Sequence, residues 1–196
     1  MKRNKPRTVL YRRKRTLRTD YRKRLRLLVG GLPRVVVRVT NTQIIAQLVA
    51  FEPQGDRVLC TTQSSELKKL GWLYATKNVP AAYLTGLLFG VKALRQKQKE
   101  GVLDIGFRQF MHGGRISAFA KGIIDAGMDI PVGEDIFPSE EKLQGKHIQD
   151  FMALQGKTNN AKDHNTKQFA QYFKNNLAPQ MSEAVQAVTK KIKEIK

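Results

Sequence analysis

Three β-branched runs follow one another almost without interruption, and they constrain the fold more than anything else in the chain. RVVVRVT (34–40), QIIAQLVAF (43–51) and RVLCTT (57–62) are separated only by the turns Asn41-Thr42 and Pro53-Gln54-Gly55-Asp56. β-Branched side chains are stiff about χ1 and suit a pleated strand. Connections this short reverse the chain direction, so the three runs predict an antiparallel meander.

From Pro80 onward the chain alternates helix and strand. Pro80 opens a helix to about Lys99, with Asn78 upstream as its cap, and Leu84, Leu87, Leu88, Val91 and Leu94 mark its buried face. Gly86 and Gly90, one turn apart, are expected to let that helix approach a sheet closely. Gly101 is expected to stop it. VLDIGF (102–107) reads as a strand, RQFMHGGR (108–115) as a loop, and Ile116 to about Ala126 as a helix ended by Gly127. Asp129–Val132 completes the pattern as a last strand, stopped by Pro131. The order β-β-β-α-β-α-β predicts an α/β fold with a mixed sheet covered by helices. Beyond Val132 the expectation is helical. Ser139, Glu140 and Glu141 start a helix through about Met152, residues 155–166 form a polar loop, and Pro179 separates helices over about 167–177 and 182–195. The chain therefore divides into 1–30, a core over 31–133 and a helical C-terminal extension over 134–196.

A chain of 196 residues with 41% hydrophobic content buries enough surface to fold without a covalent or metal staple. The lone Cys60 excludes a disulfide framework and a cysteine zinc site, and suits a reducing cytoplasm. The longest charge-free apolar stretch, Asn78 to Val91, is shorter than the roughly 20 residues of a membrane span. The apolar run Leu27-Leu28-Val29 is too short for a signal-peptide core. The chain is expected to stay in the cell interior.

The net charge is +20, and its distribution matters more than its size. Residues 1–30 carry 13 basic residues against the single acid Asp20, a net of +12. Residues 31–130 carry a net of +6 and residues 131–196 a net of +2. Cations this dense repel one another and need a polyanion to settle against. Residues 1–10, with Lys2, Arg3, Lys5, Arg7 and Pro6, contain too little apolar matter to fold alone. Tyr11 to Leu28 reads as a helix whose Leu17, Tyr21, Leu25 and Leu28 form a thin stripe docking on the chain's own domain. Its remaining surface is cationic: Arg12, Arg13, Lys14, Arg15, Arg18, Arg22, Lys23, Arg24 and Arg26. A membrane-binding helix would carry bulky apolar residues all along one face. Nine Arg against four Lys, with Tyr11 and Tyr21 among them, suit a folded RNA, where guanidiniums grip phosphates and rings stack on splayed bases. Duplex DNA remains the alternative polyanion.

Catalytic constellations are weak. His112, His147 and His164 share no metal-ligand spacing with Cys60 or a carboxylate pair. Ser117, His112 and Asp125 lack a nucleophile elbow. Asp104, inside a strand, is the serious candidate for a Mg²⁺-dependent nuclease, but the first strand offers Arg38 and no second acid. A structural hydrogen bond is the expected role for Asp104, and no catalytic residue, cofactor, metal or small-molecule substrate is assigned. Met111-His112-Gly113-Gly114-Arg115 precedes a helix and reads either as an ordinary flexible turn or as a clamp on an RNA phosphate, flanked by Arg108, His112 and Arg115.

Several blocks, in order, resemble a known family. TDYRKRLRLLVGGLPRVVVRVTNTQIIAQLV (19–49), PAAYLTGLLFGVKAL (80–94), VLDIG (102–106) and IFPSEEKLQGKHI (136–148) are similar to the universal large-subunit ribosomal protein L eighteen family, in its archaeal form with a C-terminal extension. The resemblance implies a three-layer, ribonuclease-H-like α/β motif with a five-stranded mixed sheet, and no catalysis. It implies a structural protein that binds 5S rRNA and attaches it to the large-subunit rRNA in the central protuberance, beside neighbouring ribosomal proteins, in the cytoplasm. The RNA-contact positions it implies are the arm with residues 19–26, the Asn41-Thr42 turn and the Gly113-Gly114-Arg115 loop; Arg38 joins them as a candidate. A metal-dependent nuclease on the same sheet and a DNA-binding architectural protein are the alternatives.

Overall fold

The computed structural model describes residues 9–157 and 180–195. The expected contacts at Lys2, Arg3, Lys5 and Arg7, and the expected loop beyond residue 157 and helix over 167–177, lie outside the described residues.

The meander forms as the sequence dictates. Strands β1 (Arg34–Val39), β2 (Ile44–Ala50) and β3 (Arg57–Gln63) pair antiparallel, with Val36 opposite Gln47 and Gln47 opposite Thr61. Strand β4 (Val102–Asp104) adds parallel to β1, giving the order β3-β2-β1-β4. The period of two sorts the side chains. Val35, Val37, Val39, Ile44, Ala46 and Leu48 point into the core, while Arg34, Val36, Arg38 and Gln47 share the opposite face.

Among the described residues the sheet has four strands, not the expected five. Segment 129–132 contributes one parallel bridge, Glu100 with Asp129, through Asp129 N–H donating to Lys99 O at 2.7 Å and Gly101 N–H donating to Asp129 O at 3.0 Å. Pro131 has no N–H to extend the ladder, so pairing stops there. Strand β4 is also shorter than expected, because Gly106 takes a left-handed φ of 64° and turns the chain away.

Two helices cover the core face. Helix α3 (Val79–Arg95) starts where Asn78 Oδ1 accepts from Ala81 N at 2.9 Å. It ends four residues before the expected Lys99, with Lys97 at positive φ. Helix α4 (Arg115–Ala126) lies against it. Gly86 and Gly90 serve this helix pair rather than an approach to the sheet: a Cβ at Gly86 would sit 2.1 Å from Phe119 O, and one at Gly90 2.5 Å from the Ala126 Cβ. Phe89 and Phe119, with centroids 5.8 Å apart, fill the space between the helices and the sheet.

The extension builds a second apolar layer on the far side of α3. The expected helix from Ser139 divides at Gly145, φ 82°, into α5 (Glu140–Leu143) and α6 (Lys146–Lys157). The last helix, α7 (Met181–Glu194), buries Met181, Val185, Val188 and Ile192 against Leu84, Leu87, Leu88, Leu67 and Trp72.

The expected continuous helix from Tyr11 to Leu28 is two helices, α1 (Arg12–Arg15) and α2 (Tyr21–Val29). Arg12 and Arg15, three apart on one face of α1, repel each other and disfavour continuation. Leu17 then adopts φ 52°, and Asp20 restarts the helix by accepting from Arg22 N and Lys23 N at 3.0 and 3.1 Å. The expected apolar stripe docks only in part: Leu17 is 74% exposed and Leu25 66%, Tyr21 and Leu28 are half-buried, and neither helix contains a fully buried residue.

Candidate nucleic-acid interface

Helix α2 stands over the polar face of the sheet and is tied to it by charge. Lys23 Nζ donates to Gly106 O at 3.1 Å, and Arg24 Nη2 meets Asp56 Oδ1 at 2.7 Å. Between helix and sheet is a cleft of about 350 Å³. Six cations line it, Arg13, Arg18, Lys23, Arg24, Arg34 and Arg38, together with the acids Asp20, Asp56 and Asp104.

Three of those guanidiniums and two of the acids form an alternating chain. Asp56 holds Arg24 on one oxygen and Arg34 on the other, at 2.7 and 2.6 Å; Arg34 also reaches Asp104 at 3.1 Å, and Asp104 meets Arg38 at 3.5 Å. Arg34 is only 4% exposed, so its guanidinium needs both carboxylates to offset its lost hydration. Asp104 further accepts Gly106 N–H at 2.9 Å. Its oxygens thus face two guanidiniums and a backbone amide, a setting that repels a divalent cation. Among the described residues no group of three or more His, Cys, Asp or Glu is placed to hold a metal ion.

The exposed surface of the arm carries the predicted cations. Arg12, Arg13, Lys14, Arg15, Arg18, Arg22 and Arg26 face solvent. Arg13 Nε donates to Thr19 Oγ1 at 2.8 Å, which folds α1 back toward the start of α2. Tyr11 and Tyr21 meet each other, ring centroids 5.5 Å apart, leaving Tyr11 exposed. Arg38 spends one nitrogen on Val37 O and Asp104 O, at 2.8 Å each, and remains partly open to solvent.

A second cleft, of about 620 Å³, opens at the ends of β1 and β4. Arg108, Gly113, Gly114 and Arg115 line it; exposed His112 packs edge-on to Phe110 outside the lining. Gly113, at φ 60°, lets the loop turn so that its N–H donates to Ile136 O at 3.0 Å. Arg108 is fixed by donating to Val39 O. The Asn41-Thr42 turn is exposed beside this cleft, where Thr42 O accepts from Thr76 Oγ1 at 2.7 Å. Lys77 and Lys142, which sequence reasoning does not single out, join the lining, as does His147, weighed from the sequence only as a metal ligand. Burial, then the neighbouring Lys142, holds the His147 imidazole below its ordinary pKa, with Asp150 opposing. Arg34 and Asp56 are the corresponding additions in the first cleft; Arg34 is legible in the sequence as the same-face neighbour of Arg38 four residues on.

Residues 5–102 match the family model described as ribosomal large subunit proteins 60S L5, and 50S L18. The large ribosomal subunit protein uL18 of Methanoregula boonei is 51% identical over 140 residues, covering 71% of this chain and 80% of the relative. The Methanoculleus marisnigri protein of the same name is 50% identical over 143 residues, 73% of this chain and 82% of the relative. That of Caldivirga maquilingensis is 42% identical over 188 residues, reaching 95% of this chain and 90% of the relative. With half the chain inside the family model and these identities extending through the α/β core, the chain belongs to the uL18 family of large ribosomal subunit proteins.

Proposed function

We propose that this chain is a structural, non-enzymatic protein of the large ribosomal subunit that binds 5S rRNA and attaches it to the large-subunit rRNA in the central protuberance. The observation that carries this reading is the arm: a dense run of cations with no fully buried residue in α1 or α2, tied through Lys23 and Arg24 over a cleft lined by six cations. Such a surface is built to meet phosphates. Residues 1–30 act as the RNA-binding arm and residues 31–133 as the core that fixes its register. Residues 134–196 form an extension that docks through α7 and offers an outer face to neighbouring ribosomal proteins. The order β3-β2-β1-β4, with Asp129 bridging outside β4, supports the ribonuclease-H-type reading of the sheet. Arg34 and Arg38 occupy the positions where a nuclease on that sheet would want acids, which counts against the catalytic alternative.

The discriminating experiment is a competition between 5S rRNA and duplex DNA of equal length for the full chain at physiological salt. We expect 5S rRNA to win clearly. If the arm meets about eight phosphates, the log–log slope of affinity against salt is roughly −6 to −7. Equal displacement by the duplex, or a slope near zero, would overturn the reading.

A further inference from the structure

The two clefts differ in how their charge is balanced. In the first, three carboxylates are interleaved with the six cations, and Asp56 and Asp104 already bind Arg24, Arg34 and Arg38. In the second, the lining contains Lys77, Arg108, Arg115, Lys142 and His147, and no carboxylate among the described residues. None of these five enters an ion pair among the described residues. A folded chain that gathers four permanent cations around one hollow accepts mutual repulsion unless a polyanion enters.

The gathering is also constructed rather than incidental. Lys77 precedes α3 and is positioned by Thr76, whose hydroxyl donates to Thr42 O at 2.7 Å. Arg108 is held by its bond to Val39 O, and Arg115 opens α4. Lys142 comes from α5, and its Nζ lies so near the Gly113 loop that a Cβ at Gly113 would be 3.6 Å away. His147 comes from α6. Segments from the core and from the C-terminal extension therefore converge on one hollow of about 620 Å³, whose lining also includes the apolar Val39, Val79 and Ile116.

We propose that this cleft is a phosphodiester-binding site separate from the arm, in which Lys77, Lys142 and His147 join Arg108 and Arg115 around the backbone of an rRNA strand. The inference rests on the ribosomal reading for the identity of the polyanion and extends it to residues of the extension. It makes the C-terminal segment a contributor to RNA binding.

The test is lysine acylation footprinting of the full chain, free and with an equimolar mixture of protein-free 5S and large-subunit rRNA, read by mass spectrometry. The expected result is that Lys77 and Lys142 lose at least about fivefold in reactivity when rRNA is added. Lys14 and Lys23 report the arm in the same sample. Protection of Lys14 and Lys23 with unchanged Lys77 and Lys142 overturns the cleft and leaves the arm reading intact. Protection of Lys77 and Lys142 alone supports the cleft and removes the arm from the interface. No protection anywhere overturns both. A second measurement uses Lys77→Gln/Lys142→Gln, whose side chains are not part of the core. Its melting temperature should match the parent, and its salt slope for rRNA should fall by about 1 to 2. An unchanged slope also overturns the proposal.

Discussion

Gly86 and Gly122 sit where α3 and α4 cross. A Cβ at Gly86 would lie 2.1 Å from Phe119 O, and one at Gly122 2.2 Å from Tyr83 O, both backbone atoms that cannot swing aside. Helix propensity alone favours alanine over glycine by about 1 kcal/mol, so these glycines oppose local preference in order to let two backbones touch. Gly86→Ala is therefore expected to destabilise the fold by about 3 kcal/mol in urea unfolding, the helix gain being outweighed by overpacking. A neutral or stabilising result would mean that the helices can separate freely. The glycine spacing is visible in the sequence, but its partner is not. A small residue on a helix announces a close neighbour without saying whether that neighbour is a strand or another helix. The same limit applies to Arg34. Its placement at the head of a β-branched run puts it on the Arg38 face, yet its two carboxylate partners come from a turn and from a strand far along the chain.

At the scale of elements, the meander is legible because three independent signals agree: β-branched composition, period-two alternation and short turns. The arm helix misleads because its pattern of leucines mimics a buried stripe. Helical spacing shows only that residues share a face, and here Tyr21 and Leu28 of that face are half-buried while Leu17 and Leu25 stay open. Helix α2 is held by its Asp20 cap and by the Lys23 and Arg24 ties, with no fully buried apolar anchor. Asp20→Ala removes a cap worth about 1 kcal/mol to the helix itself. Because α2 buries no residue fully, that loss should remain local. Hydrogen exchange of the Leu25–Val29 amides should accelerate about fivefold, while the amides of β1 and α3 and the global unfolding midpoint stay unchanged. A cooperative drop in the midpoint would show that α2 is integral to the core.

At the scale of the whole molecule, the sequence locates the charge but not the hollows that organise it. Both clefts join residues separated by sixty or more positions, such as Arg38 with Asp104 and Lys77 with Lys142, and only the closed fold brings them together. The fold nevertheless keeps its cationic leader outside its cores. Between Val9 and Gly30 no residue is buried, whereas the two apolar layers draw on residues from Val35 to Ile192. Stability and RNA affinity should therefore separate when residues 1–30 are removed. Arg34 keeps Asp56 and Asp104 as partners in the shortened chain, and freeing Asp56 from Arg24 leaves that buried pair intact. Calorimetry of the shortened chain is expected to show a melting temperature within a few degrees of the parent. Its affinity for protein-free rRNA at physiological salt should fall by about 100-fold or more as the arm's phosphate contacts disappear. The remaining binding should retain a shallower salt dependence, carried by the cations of the second cleft. If the shortened chain unfolds, the arm belongs to the core after all. If it binds rRNA as tightly as the parent, the dense leading charge has no part in recognition.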